Sequence, residues 1–384
     1  MVNEGAGRRG RGAGGGRRWR FVLFAVAAVV IAGFLPIFPA AKKHGPTDYD
    51  VELRSIDSKI AAKPLYAYQR ASLTGDFDDF RAAERAIDDA FAKQGPTADL
   101  LLLRAQFNFK LHRLDAAERD LNVLEAEIPG VAALRADLAF QRGQYDDARR
   151  GYEREISIAG KWDDYARLAY LQSRSGDFAA ADRSYAQAEE QISVKEMRSY
   201  AWVELQRGLL QFEQGHYDAA LAHYHRAEKA YSGYWLIEEH IAEVLDKLGK
   251  TKESIALYET IVARTHNPEY VNALARIAGR ADLFAVADRL NAARFAIYPE
   301  AAIGHMIRDA LARPLPRPDL VQLAQRNAAL RPNAESKLLL ARSYLKVGDN
   351  AAARRLVDEI VKTTPWRTPE LAEVMRRAGV PPAG

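Results

Sequence analysis

No cysteine occurs among the 384 residues, which removes disulfide frameworks, thiolate metal sites and cysteine nucleophiles together. The absence suits an oxidising compartment. Motifs of chemistry are missing as well: there is no Gly-rich phosphate loop, nucleophile elbow, metalloprotease motif or calcium loop. Proline is sparse through the middle of the chain, where Ala, Leu, Arg, Glu and Asp dominate, a helix-forming composition. The body also lacks a basic run. Net charge is +4, yet six arginines in residues 1–20 face Glu4 alone, a local +5 that leaves −1 for the remainder. Nucleic-acid binding is therefore not expected.

A long hydrophobic run occurs once, at residues 21–40. Roughly 20 helical residues at 1.5 Å each cross a hydrocarbon layer of about 30 Å. A cleavable signal peptide has a shorter apolar stretch followed by a small-x-small site, whereas Phe38 and Pro39 stand here where a small residue is wanted. An uncleaved signal-anchor is expected, with a removed signal peptide as the alternative. The arginines precede the run, while Lys42 and Lys43 are soon diluted by Asp48, Asp50 and Glu52. The positive-inside rule then puts residues 1–20 in the cytoplasm as a disordered basic tail and the body across the inner membrane, in the periplasm of a Gram-negative bacterium. Residues 41–60 read as a linker.

Beyond the linker the sequence repeats itself. A helix end is followed by Gly, a polar residue, an apolar residue and then Ala: Gly143-Gln144-Tyr145 with Ala148, Gly176-Asp177-Phe178 with Ala181, Gly215-His216-Tyr217 with Ala220. Weaker copies start at Gly75, Gly249 and Gly348, and successive glycines are 68, 33, 39, 34 and 99 residues apart. These are multiples of 33 or 34, apart from the 39, which reads as one period with an insertion near Glu196 to Tyr200. Gly ends a first helix in the left-handed region, the following Asp caps a second, and the small Ala lets the two approach. Tyr152, Tyr185, Tyr224 and Tyr258 fall four residues after the small position, where they fill the seam. Pro129, Pro299, Pro332 and Pro365 fall where second helices stop.

This pattern resembles the tetratricopeptide repeat family, whose 34-residue unit carries small residues near its eighth and twentieth places. Ala105, Ala136, Ala169, Gly208, Ala242, Ala275 and Ala341 stand at the eighth, and Ala117, Ala148, Ala181, Ala220, Ala287 and Ala353 at the twentieth. The resemblance covers residues 61–367, about nine units, and implies an all-α superhelical solenoid of helical hairpins. The unit at 301–333 is degenerate, with Pro314, Pro316 and Pro318 in its turn. Residues 368–384 read as a capping helix and tail, with Thr368 as N-cap, Pro369 in the first helical position and Gly379 at the end.

The resemblance also implies a concave groove that seats a protein or peptide partner. The family's groove positions carry over to Phe109, Phe140, Tyr170, Arg174, Trp202, Leu205, Leu209, Phe212, Glu239 and Glu243. Trp202, Leu205, Leu209 and Phe212 form an apolar stripe at i, i+3, i+7 and i+10, suited to a partner helix or to packing inside the solenoid. No cofactor, metal or catalytic group is expected. His216, His223 and His225 read as solvated or groove-edge residues, since a helix turns His223 and His225 about 200° apart. His240 beside Glu238 and Glu239 carries no stronger metal signal. Carboxylate pairs such as Asp78-Asp79, Asp146-Asp147, Asp163-Asp164 and Glu189-Glu190 read as caps. The expected function is a membrane-anchored, non-catalytic scaffold in a bacterial envelope complex. The alternative is a periplasmic holding chaperone for extended clients, similar to the repeat proteins that present apocytochromes.

Overall fold

The computed structural model describes residues 45–61 and 63–381, and the tail and the apolar run at 21–40 lie outside them. Among the described residues there are twenty helices and no strand. Nine hairpins follow a lone helix, Asp48–Asp57. Their first and second helices are Pro64–Thr74 with Phe77–Gln94, Ala98–Lys110 with Leu114–Asn122, and Val131–Gln141 with Tyr145–Ile158. Next come Trp162–Arg174 with Phe178–Glu190, Met197–Glu213 with Tyr217–Ala230, and Trp235–Lys247 with Thr251–Thr265. Pro268–Ile277 with Asp282–Ile297, Pro299–Ala312 with Leu320–Leu330, and Ala334–Lys346 with Asn350–Thr363 complete the series, and Pro369–Arg377 closes it. No described helix is long and apolar enough to cross a membrane.

Local chemistry accounts for the hairpins. Asp76, Asp177 and Asp349 accept hydrogen bonds from the backbone N–H groups of Asp78, Ala180 and Ala352, capping second helices. Thr368 caps the last helix by accepting from Leu371 N–H. The small residues at the helix crossings are fully enclosed: Ala105, Ala169, Ala242 and Ala341 on first helices, Ala117, Ala148, Ala181, Ala220, Ala287 and Ala353 on second ones. Tyr152, Tyr185, Tyr224 and Tyr258 are buried in the seams beside them. Each buried ring removes on the order of 150–250 Å² from water, the main favourable term at these junctions. The long interval between Gly176 and Gly215 is taken up by the turn at 191–196 and the 17-residue helix Met197–Glu213.

The coil also returns on itself. The Tyr298 hydroxyl donates to Glu84 at 2.8 Å, the Tyr145 hydroxyl accepts from Ala334 N–H at 2.7 Å, and Arg367 N–H donates to the Arg174 carbonyl at 2.8 Å. Trp235 Nε1 donates to the Leu73 carbonyl at 3.2 Å. One apolar cluster joins Phe140, Tyr145, Tyr152 and Leu171 to Leu338, Val357, Trp366 and Met375. Two turn glycines sit at these junctions. Gly176 has φ of +82°, and a Cβ there would lie 2.8 Å from the Arg367 carbonyl oxygen. Gly143 meets Pro332 in the same way.

Two stretches depart from the sequence reading. Residues 41–60 were expected to be a linker, but 48–57 form a helix with a Thr47–Asp50 capping box. Tyr49 stacks on Tyr234 at 5.8 Å, and Asp48 accepts from both Ser232 N–H and its hydroxyl. Tyr231, Tyr234 and Trp235 thus plug the junction between this helix and the sixth hairpin. In the eighth hairpin the prolines lengthen the connection to residues 313–319 without unpairing the helices. A cavity of about 590 Å³ opens beneath it, lined by Met306, Asp309, Arg313 and the prolines. Asp309 is 7% exposed and accepts from Asn291 Nδ2 at 2.8 Å. Burial outweighs that bond and pushes its carboxyl up to about 7.

Two outcomes follow for stability. Gly176→Ala is expected to lower the melting temperature more than Gly215→Ala, where φ is +79° but nothing lies within 4 Å of a Cβ. The second variant loses about 1–2 kcal/mol for left-handed backbone alone, and the first adds about 1–3 kcal/mol of overpacking. Equal losses would show that the glycine's contact with Arg367 contributes nothing. For Asp309, the folded pKa lies above the unfolded 3.8, so protonation favours the fold. The penalty is absent below the ordinary carboxylate range and grows as pH rises through about 7. Asp309→Asn should therefore raise the melting temperature at about pH 8, by a stabilisation on the order of a few kcal/mol, and leave it unchanged near pH 4.

Candidate functional site

The second to fifth hairpins present first-helix residues to one concave surface. Phe109, Phe140, Tyr170 and Trp202 line a cavity of about 410 Å³ there, with Asp137, Tyr152, Trp162, Asp163 and Arg167. Trp162 and Trp202 meet edge to face at 5.9 Å, and Phe140 and Tyr170 lie 5.5 Å apart. Arg167 reaches Asp137 at 3.1 Å and Asp163 at 2.7 Å, and the Tyr152 hydroxyl donates to Asp137 at 3.0 Å. Burial raises the Asp137 carboxyl against the opposing pull of Arg167. Two carboxylates facing one guanidinium leave the cavity a negative surplus beside aromatic walls. That combination suits an apolar anchor next to a cationic group.

The other groove positions go elsewhere. Leu205 is 1% exposed and packs with Ala220, Tyr224 and Ile237 in the hairpin core. Phe212 lies against Tyr217 at 5.4 Å, and Leu209 borders a separate cavity of about 180 Å³. The stripe expected to seat a partner helix is therefore divided, because it straddles the edge between the packed and the concave faces. Only Trp202 of its four members reaches the aromatic cavity. Arg174 holds Glu213 through two contacts of 2.6 Å and rests over Tyr170 and Trp366, so its charge is already engaged. Phe140 has one face in the cavity and the other against Trp366 at 6.3 Å, a residue from the far end of the chain.

Charged side chains continue along this surface. Lys110 is exposed to water at the end of its helix. Glu269 meets His305 at 2.8 Å, Arg308 pairs with Glu335, and Arg331 lies 3.2 Å from His112 Nε2. His112 takes the left-handed conformation, with φ of +59°, at a hairpin turn that has no glycine, which is why the repeat phrase is silent there. The histidine expectation also needs correction at one position. His223 is not solvated: it is 9% exposed, and its Nδ1 lies 2.6 Å from the buried Glu204. Burial raises the Glu204 carboxyl, but bonds from His223, Arg226 and Tyr200 outweigh it and bring the pKa down to about 2. His216 and His225 are exposed. Further along, Glu239 and Glu243 flank His240; burial among like charges pushes Glu239 up to about 7.

The aromatic and carboxylate lining of this cavity is that of a binding surface. Residues 68–132 and 211–277 each match a tetratricopeptide repeat model. No curated protein matches the sequence. Among solved structures, yeast Tom70 is similar over 86% of this chain and 91% of its own, at 14% identity and a TM-score of 0.36. Cut9 in the APC/C Cut9–Hcn1 hetero-tetramer is similar over 86% of this chain and 66% of its own, at 14% identity and a TM-score of 0.46. The C-terminal part of a repeat protein from Cytophaga hutchinsonii covers 63% of this chain, with 99% of its own length, at 13% identity and a TM-score of 0.33. With two stretches matched, and the same glycine-turned hairpin continuing between and beyond them, the chain is a tetratricopeptide repeat protein.

Proposed function

We infer that this chain is a membrane-tethered scaffold that holds a protein partner through the aromatic cavity of its second to fifth hairpins. Tetratricopeptide repeats are protein-interaction modules, and the observation that carries the finer reading is this cavity. It gathers Phe109, Tyr170 and Trp202 beside Asp137 and Asp163, with the buried Phe140 behind them. The occupant it fits is an extended segment with an aromatic or aliphatic anchor next to Lys or Arg. The tether rests on the uncharged run at 21–40 and the arginines before it, which support a single span with the repeats in the periplasm of a bacterial envelope. The role is binding, with no covalent step.

The test is a crosslinked pull-down of the full-length protein from its own membranes, compared with Trp202→Ala. A few envelope proteins recovered in near-fixed ratio, and reduced about tenfold or more in the folded variant, are the expected result. Undiminished recovery would sink the cavity assignment. A wide spread of unrelated exported chains would instead identify a holder of extended clients. Removal of residues 1–40 should move the repeats from the membrane to the soluble fraction, and retention on the membrane would overturn the tether.

A further inference from the structure

Three donor groups converge on the sixth hairpin, away from the aromatic cavity. Glu239, His240 and Glu243 stand at i, i+1 and i+4 of the helix Trp235–Lys247, and at about 100° per residue they share one sector of about 100°. One donor atom from each lies within 4.8 Å of the other two. His240 Nδ1 is 3.3 Å from Glu239 and 3.5 Å from Glu243, yet it is buried and makes no hydrogen bond. The three groups lie close enough together to share one ion. Neither glutamate has a Lys or Arg partner within ion-pair distance among the described residues.

The surroundings are built around that point. Tyr224 is fully buried and stacks on the His240 imidazole, with ring centroids 5.6 Å apart and planes 26° from parallel. Its hydroxyl has no hydrogen-bond partner, and burial, followed by the Glu243 and Glu239 carboxylates, raises its pKa. A buried hydroxyl without a partner is unfavourable. Gly208 leaves room for the ring, since a Cβ there would lie 2.2 Å from Tyr224 Cε1. The Tyr258 hydroxyl donates to Glu239 at 3.3 Å and orients it from the other side.

We propose that Glu239, His240 and Glu243 bind one divalent transition-metal ion, Zn²⁺ by preference. Two carboxylates balance its charge, and one nitrogen with two oxygens disfavours Mg²⁺ and Ca²⁺, which take all-oxygen shells. Zinc bonds of about 2.0–2.2 Å in a tetrahedron place ligand atoms about 3.3–3.6 Å apart. The observed separations of 3.3 and 3.5 Å match that edge. Three protein ligands leave a fourth position for water, an opening that closed structural zinc sites lack. The sequence reading set His240 beside Glu238 and Glu239 without a metal role and Glu243 in the groove; Glu238 instead pairs with Arg264, and Glu243 stands one helical turn after Glu239.

Calorimetric titration of the full-length, chelator-stripped protein in detergent with ZnCl₂ tests the site, with MnCl₂ in parallel. The expected result is one equivalent of Zn²⁺, bound more tightly than Mn²⁺. His240→Gln and Glu243→Gln should each weaken it by about tenfold or more, whereas His225→Gln, at an exposed histidine, should change nothing. Absence of saturable Zn²⁺ binding, or binding that survives both substitutions, would overturn the proposal. X-ray absorption of the zinc-loaded wild type provides a readout independent of how the variants fold. One imidazole in an otherwise oxygen shell supports the site, and a shell of several imidazoles overturns it.

Discussion

The structure depends on the return of the coil onto itself. In an open solenoid each repeat touches only its neighbours, and stability is a sum of local terms. Here Tyr145 binds the backbone of Ala334, Arg174 binds that of Arg367, and Trp366 packs against Phe140 and Tyr145. The third and fourth hairpins therefore share their core with the ninth and with the closing helix. Such contacts require the backbones to come within a carbonyl's radius of each other, which the Cβ-free turns at Gly143 and Gly176 permit.

This closure also selects the binding surface. A groove read position by position from the repeat would run unbroken along the first helices. The returning segment covers one face of Phe140 and engages the region of Arg174, so a short aromatic cavity remains on one side. Elsewhere along the coil, burial and pairing together shape the ionisation of charged groups. The Glu204 and Asp309 carboxyls move in opposite directions for that reason: one has donors on every side, the other has a single amide.

Much of this was legible in the residues because it is local. The Gly-polar-apolar phrase, the small residue at each crossing, the seam tyrosines and the Asp and Thr caps each act within one hairpin, so a period of 33 or 34 reveals them. What stayed hidden needs partners the period does not encode. Nothing near Tyr145 announces Ala334, and Leu205 enters the core because of how its helix is rotated against the next hairpin. His223 is buried because Glu204 stands across the seam. The helix at 48–57 was marked by Thr47 and Asp50, but its stacking partner Tyr234 is far away in sequence. Half of the aromatic cavity could be named in advance; Trp162, Tyr152 and Arg167 could not, since they come from faces the family's groove positions do not include.

The bond between Tyr145 and Ala334 joins residues 189 positions apart. Contacts of that span make folding slow, because a long loop must close before they reward the chain. At about 5–20 residues per second, synthesis needs roughly ten to forty seconds to deliver the second partner after the first. Throughout that interval the face of the third hairpin that Trp366 will cover stands bare, a sticky surface on an unfinished molecule. Its safe passage is therefore a question of timing and shelter during synthesis, as much as of the stability of the finished coil.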